Sequence, residues 1–135
     1  MKSIWLIVSS FAAMYVIATI VGFSTYLLIG PVVMWVSVFT LMPVVSAWLI
    51  YGYLRKTTFP LETSMAETAK LLLVWICLSF ACDALGYVVI IPAIMHTSPN
   101  WTFFRDQSPW IWLSYAVLLF SGYVGRWAYL RSLHA

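Results

Sequence analysis

The stretch IWLIVSSFAAMYVIATIVGFSTYLLI, residues 4–29, decides the class of this protein. It contains no charged residue over 26 positions. A helix rises about 1.5 Å per residue, so the stretch is long enough to cross a hydrocarbon core of roughly 30 Å. A secretory signal has an apolar core of only about 7–15 residues, followed by a small-residue cleavage site. We therefore interpret residues 4–29 as a transmembrane helix and not as a signal peptide.

Three further apolar blocks follow this stretch, at residues 31–54, 71–95 and 110–130. The whole chain of 135 residues is 64% hydrophobic and only 8% charged, whereas soluble domains carry about 25% charged residues. The sequence thus predicts an all-α integral membrane protein with four transmembrane helices in a small bundle. The four helices form one domain that covers residues 1–135.

Two connections between these blocks carry recognisable signals. Gly30 and Pro31 predict a tight turn, because glycine suits the residue after a helix and proline suits the first residue of the next one. In the polar connector 57–70, Ser64 and Glu67 match a capping box, in which the two side chains bind each other's free backbone amides. This motif predicts a helix that begins near Met65 and continues into the third span.

The connector between the third and fourth spans, residues 96–109, is unusually aromatic for a loop. Its rings are Trp101, Phe103 and Phe104. Two interpretations remain open: the loop dips into the membrane interface or packs over the helix ends, or its rings simply anchor it at the level of the lipid headgroups.

The orientation of the chain follows from its basic residues. With four spans, the two termini and the central connector share one side of the membrane, and that side carries Lys2, Arg55, Lys56, Lys70, Arg126 and Arg131. The other side carries only Arg105. Since basic residues concentrate on the cytoplasmic side, we expect both termini in the cytoplasm and the protein in the plasma membrane, surrounded by membrane lipid.

Asp83 is the residue that most directly suggests a function. It lies in the middle of the third span, too far from either end for its short side chain to reach water. Hydrocarbon disfavours the ionised form, so Asp83 is neutral unless a cation approaches. Arg126 is the only cation inside a span, but we place it about 10 Å nearer the cytoplasm and expect it mainly to reach towards that surface.

The residues one turn away from Asp83 share its helical face, which must therefore turn towards protein or a wet cavity. We take Asp83 as the candidate proton or ligand site. Its candidate neighbours are Ser79, Phe80, Tyr87, Trp75 and Arg126.

The leading hypothesis is a small transporter or binder of a hydrophobic or cationic small molecule, which uses Asp83 as its proton or cation site. The alternative is an accessory or immunity-type protein that binds another membrane protein, with Asp83 as a structural hydrogen-bonding group. Such a small bundle is expected to form a homo-oligomer or to join a membrane-protein partner.

Other chemistries find little support in the sequence. Hydrolysis or group transfer needs a nucleophile with a base, or two carboxylates within reach of each other, so an enzyme is disfavoured. The remaining enzymatic possibility is that Asp83 acts as a single acid on a lipid-like substrate. Cys77 and Cys82 project about 140° apart on one helix, and neither histidine lies at their depth, so we expect no disulfide, metal or cofactor. No basic patch predicts nucleic-acid binding.

Overall fold

The computed structural model describes residues 2–57 and 59–133. These residues form helices and no strand. In chain order the elements are α1 (Lys2–Leu28), α2 (Pro31–Thr57), α3 (Leu61–Asp83), a π-helical segment (Ala84–Ile90), α4 (Ile91–Ile94), α5 (Phe103–Asp106) and α6 (Trp110–Ser132). The π-helical segment joins α3 directly to α4, so the three elements form one continuous rod.

Three helices in the described part of the chain are long and apolar enough to cross a membrane, which indicates a helical membrane protein. They are Ile4–Leu28, Pro31–Thr57 and Leu61–Ile94. The fourth long helix, α6, is not among them, since its 23 residues include three tryptophans, three tyrosines and two arginines among the apolar side chains.

The turn between α1 and α2 forms as the sequence predicts. Gly30 has a φ of +127°, a backbone conformation that residues with a Cβ rarely adopt. Its N–H donates at 3.0 Å to the Thr25 carbonyl, which also accepts from the Ile29 N–H, and this shared bond closes the end of α1. Pro31 then begins α2 immediately, and the two helices run antiparallel.

The predicted capping box is wrong. α3 begins at Leu61, four residues before the expected start, and its N-cap is Pro60, which makes no side-chain cap. The Ser64 hydroxyl donates back to the Leu61 carbonyl at 2.8 Å, as serine does inside a helix. Pro60 is extended, with φ −55° and ψ 146°, and its carbonyl accepts from the Ser64 N–H at 3.1 Å, so the first helical turn closes on Pro60 and not on Ser64.

The long helices pack around a square. α2 makes its most extensive contacts with α1 and α6, while α3 packs on α6 and α1 and touches α2 only slightly. Gly125 of α6 brings that helix against the backbone of α2, since a Cβ there would lie 2.5 Å from the Ala47 carbonyl oxygen. Gly122 of α6 likewise receives the side chain of Leu72 from α3. α2 and α3 therefore face each other diagonally.

The connector after α4 folds back along the rod formed by α3, the π-helical segment and α4. The backbone N–H of Asn100 donates to the carbonyl of Val88 at 2.9 Å. In a regular α-helix that carbonyl would bind the N–H of Pro92, which does not exist. The π-helical segment and the proline thus leave a carbonyl to which the connector attaches.

The aromatic rings of the connector extend this contact. Phe103 stacks on Tyr87, with ring centroids 4.9 Å apart and planes within 4° of parallel. Phe104 stacks on Phe80 at 4.8 Å. Because Phe80 lies 14 residues before Ile94, the connector descends roughly 20 Å along the rod. We call the end of the bundle that holds residues 29–30 and 95–102 the loop end.

Candidate functional site

The carboxylate of Asp83 joins three helices. Its Oδ1 accepts a hydrogen bond from the hydroxyl of Tyr15 in α1 at 2.8 Å, and its Oδ2 accepts one from the hydroxyl of Tyr115 in α6 at 2.7 Å. We call these three residues the tyrosine clamp. Each carboxylate oxygen has one protein donor, and the donors come from elements far apart in sequence.

The sequence folds this way because each member of the clamp occupies a middle position on its own helix. α1 and α3 run parallel and meet with a fixed offset, since the Trp75 indole N–H contacts the Ile7 carbonyl at 3.4 Å. Ile7 precedes Trp75 by 68 residues, and Tyr15 precedes Asp83 by the same number. The offset that pairs Ile7 with Trp75 therefore also places Tyr15 beside Asp83. A buried tyrosine needs a partner for its hydroxyl, and a buried carboxylate needs donors. The clamp satisfies both needs.

A cavity of about 590 Å³ lies beside the clamp, between the diagonal helices α2 and α3. Small-molecule sites in proteins typically span about 300–1,000 Å³. Most of its lining is aliphatic, aromatic or methionine side chain, including Met14, Met34, Met42, Trp35 and Phe39. The lining reaches Leu27, Met95 and Gln107 near the loop end.

The described residues that line the cavity include an acidic side chain and no basic one. Among the described residues that line it, Asp83 carries the only formally ionisable carboxyl group, and none is lysine, arginine or histidine. No salt bridge involves Asp83 in the described part of the chain, where the one ion pair joins Arg105 to Asp106 on the surface. An ionised Asp83 therefore has hydrogen-bond donors but no cation to balance its charge.

Three residues singled out from the sequence come together at this cavity. Asp83, Ser79 and Tyr87 all line it. Tyr87 lies closer to the loop end than Asp83, where Phe103 covers its ring and also lines the cavity. The aromatic connector is thus part of the wall at that end.

The other three candidates lie elsewhere. Phe80 stacks on Phe104 outside the cavity and is 44% exposed. Trp75 is fully buried in the core against α1. Arg126 donates from its Nε to the Ser64 hydroxyl at 3.2 Å, towards the end of the bundle opposite the loop end. None of the three lines the cavity. A shared helical face identifies residues that lie one turn apart on one helix, but it does not show which neighbouring helix that face packs against.

Sequence reasoning missed Tyr15 and Tyr115, the two partners of Asp83. A signal for them exists: each is a tyrosine well inside an apolar block, where its hydroxyl cannot reach water and requires a partner. It also missed Ser46 of α2, whose hydroxyl is buried, lines the cavity and has no hydrogen-bond partner in the described part of the chain. No protein-family model, curated protein or solved structure matches this chain.

Proposed function

We propose that this protein binds, and moves across the membrane, a hydrophobic organic cation, with Asp83 as the cation site. The single observation that carries the proposal is an apolar, aromatic cavity of ligand size that contains one carboxyl group and no basic side chain among its described lining residues. A cation supplies the charge that balances an ionised Asp83, and aromatic faces attract cations as well.

The proposal includes a topology. We propose four spans, with α6 as the fourth, and both termini in the cytoplasm of a cell bounded by the plasma membrane. Support comes from the distribution of basic residues and from the packing of α6 against two of the apolar helices. The loop end then faces outwards, and the lining of the cavity reaches that end.

The tyrosine clamp gives the carboxyl group two alternative states. When Asp83 is ionised, both hydroxyls donate to it and stabilise the charge. When Asp83 is protonated, one tyrosine hydroxyl can turn and accept the acid proton, since a phenol both donates and accepts. A cation and a proton can thus bind Asp83 alternately, as coupled exchange requires of a shared site.

Binding is tested by thermal unfolding of the purified protein in lipid with two probes, tetrabutylammonium and ethyltriphenylphosphonium. A ligand that binds only the native state stabilises it by about 2.7 kcal/mol at one hundred times its dissociation constant. We expect a rise in unfolding temperature with at least one probe. Asp83→Asn should abolish it, and the matched variant Asp106→Asn, which removes an exposed carboxylate on the connector, should keep it.

Transport is tested in liposomes that contain the protein. With an acidic lumen, protons that leave through the protein should drive accumulation of the bound probe inside the liposomes, and Asp83→Asn liposomes should accumulate only what protein-free liposomes do. Binding without gradient-driven uptake would restrict the function to binding.

One observation favours a second function. Both oxygens of Asp83 already have protein donors, so the carboxyl group also serves to hold α1, α3 and α6 together. In that case the protein is an accessory or immunity-type protein whose apolar faces bind another membrane protein. Indifference of the wild type to both cations, together with stoichiometric copurification of a membrane protein, would replace the first proposal by this one.

A further inference from the structure

Ser46 is the one serine or threonine of the described helices whose hydroxyl is fully buried and has no hydrogen-bond partner. Most serines and threonines in the described helices donate to a backbone carbonyl three or four residues earlier, as Ser114 and Ser121 do at 2.7 and 2.6 Å. Ser46 makes no such bond, although its side chain is only 1% exposed. A buried hydroxyl without a partner destabilises the folded state, so its retention in this position needs an explanation.

The position of Ser46 can be derived from the packing of α1 on α2. Gly22 of α1 faces Met34 and Val38 of α2, and the two helices are antiparallel. Ser46 therefore lies about one helical turn, roughly 5 Å, further from the loop end than the level of Tyr15. Both side chains line the same cavity, so Ser46 adds a second polar group to its wall, farther from the loop end than the tyrosine clamp.

The surroundings of Ser46 form a small polar patch at this depth of the cavity. Ser79 of α3 and Ser121 of α6 also line it, and both are buried. The Ser121 hydroxyl donates a hydrogen bond to the Val117 carbonyl, and its oxygen keeps lone pairs that can accept another. The patch offers a hydroxyl donor from Ser46, for which the described part of the chain gives no acceptor, and acceptor lone pairs on Ser121.

Resting on the proposed function, we infer that Ser46 is a ligand contact and that the ligand class is narrower than hydrophobic cations in general. The ligand carries a hydroxyl, carbonyl or similar hydrogen-bonding group close to its positive charge. The charge lies at Asp83, the apolar groups fill the aromatic part of the cavity, and the polar group reaches Ser46. A bound water at Ser46 is the competing account, and it predicts no preference between ligands.

The test uses two probes that differ by one hydroxyl: ethyltriphenylphosphonium and (2-hydroxyethyl)triphenylphosphonium. Dissociation constants of both are measured on the full-length protein in lipid nanodiscs for the wild type, Ser46→Ala and the matched control Ser37→Ala. Ser37 lies on the same helix but does not line the cavity. A neutral hydrogen bond predicts that the wild type binds the hydroxyethyl probe about 3- to 10-fold more tightly.

We expect Ser46→Ala to abolish this preference and Ser37→Ala to keep it. Ser46→Ala should also unfold at an equal or higher temperature than the wild type, because it removes an unpaired buried hydroxyl and introduces a better helix former. A fall in affinity therefore cannot be attributed to misfolding.

The outcomes separate this inference from the function on which it rests. If neither phosphonium probe binds in an Asp83-dependent manner, this inference fails, and the proposed function fails with it when tetrabutylammonium does not bind either. If both probes bind through Asp83 but with equal affinity, or if Ser46→Ala keeps the preference, only the role of Ser46 is overturned.

Discussion

The tyrosine clamp should contribute measurably to stability, and removal of its hydroxyls tests this directly. Tyr15→Phe and Tyr115→Phe each delete one hydrogen bond to Asp83 and keep the aromatic ring. Hydrogen bonds between membrane helices contribute about 0.6 kcal/mol on average and up to about 1.7 kcal/mol. We place each substitution in the upper half of this range, because each bond reaches a carboxyl group and joins separate helices.

The two bonds should also be coupled. Both hydroxyls bind the same carboxyl group, so the loss of one changes the strength of the other, and residues that share a partner show interaction energies of about 0.5 kcal/mol or more. The double variant should therefore differ from the sum of the two single variants. Adding Asp83→Asn to each single variant should reduce its cost, because the acceptor has already changed.

The free energy of unfolding is measured by denaturant titration in mixed micelles, with linear extrapolation to zero denaturant. Tyr123→Phe is the control, since Tyr123 lies on α6 with its side chain exposed and makes no hydrogen bond given by the structure. If Tyr15→Phe and Tyr115→Phe both fall within about 0.3 kcal/mol of this control, the clamp does not hold the bundle together and the geometry argued here is refuted.

Two other features of the fold give separate tests. Gly125→Ala should destabilise the protein by about 1–3 kcal/mol, because its new Cβ would meet the Ala47 carbonyl oxygen and force α2 and α6 apart. Gly52→Ala is the control, since nothing lies within 4 Å of its Cβ, and it should be neutral or stabilising by up to about 1 kcal/mol. Equal effects of the two substitutions would contradict the close approach of α6 to α2. The proposed topology is tested with single cysteines in a variant that lacks the two native ones. In intact cells a membrane-impermeant thiol reagent should label Ser98→Cys, and it should label Thr63→Cys only after permeabilisation. The reverse labelling pattern would mean that the orientation is inverted.

The features that the sequence predicts well are those that depend on composition and on local backbone chemistry. Long apolar blocks require helices, and the turn at Gly30 follows from the conformations open to glycine and proline. The capping box at Ser64 is wrong because the first turn of α3 closes on the Pro60 carbonyl, which places Ser64 inside the helix.

The candidate site was predictable only in part. Asp83 is conspicuous because a carboxylate in an apolar block is costly wherever the helix turns. Its partners depend on how three helices are set against one another, and that offset comes from packing details such as the Trp75 contact with Ile7. Trp75 itself illustrates the limit: it shares the third span with Asp83, but it is committed to the core.

The π-helical segment Ala84–Ile90 has a consequence for insertions and deletions. A π-helical turn behaves as an α-helix that has received one additional residue, and each residue of an α-helix turns the following ones by about 100°. A related chain one residue shorter between Asp83 and Pro92 would run as a plain α-helix there, and the segments on either side would keep their directions, because the π-helical turn absorbs the additional residue. This short segment can therefore lose one residue without changing how the rest of the rod faces its neighbours, whereas the same loss from α1 or α2 would rotate everything beyond it by about 100°.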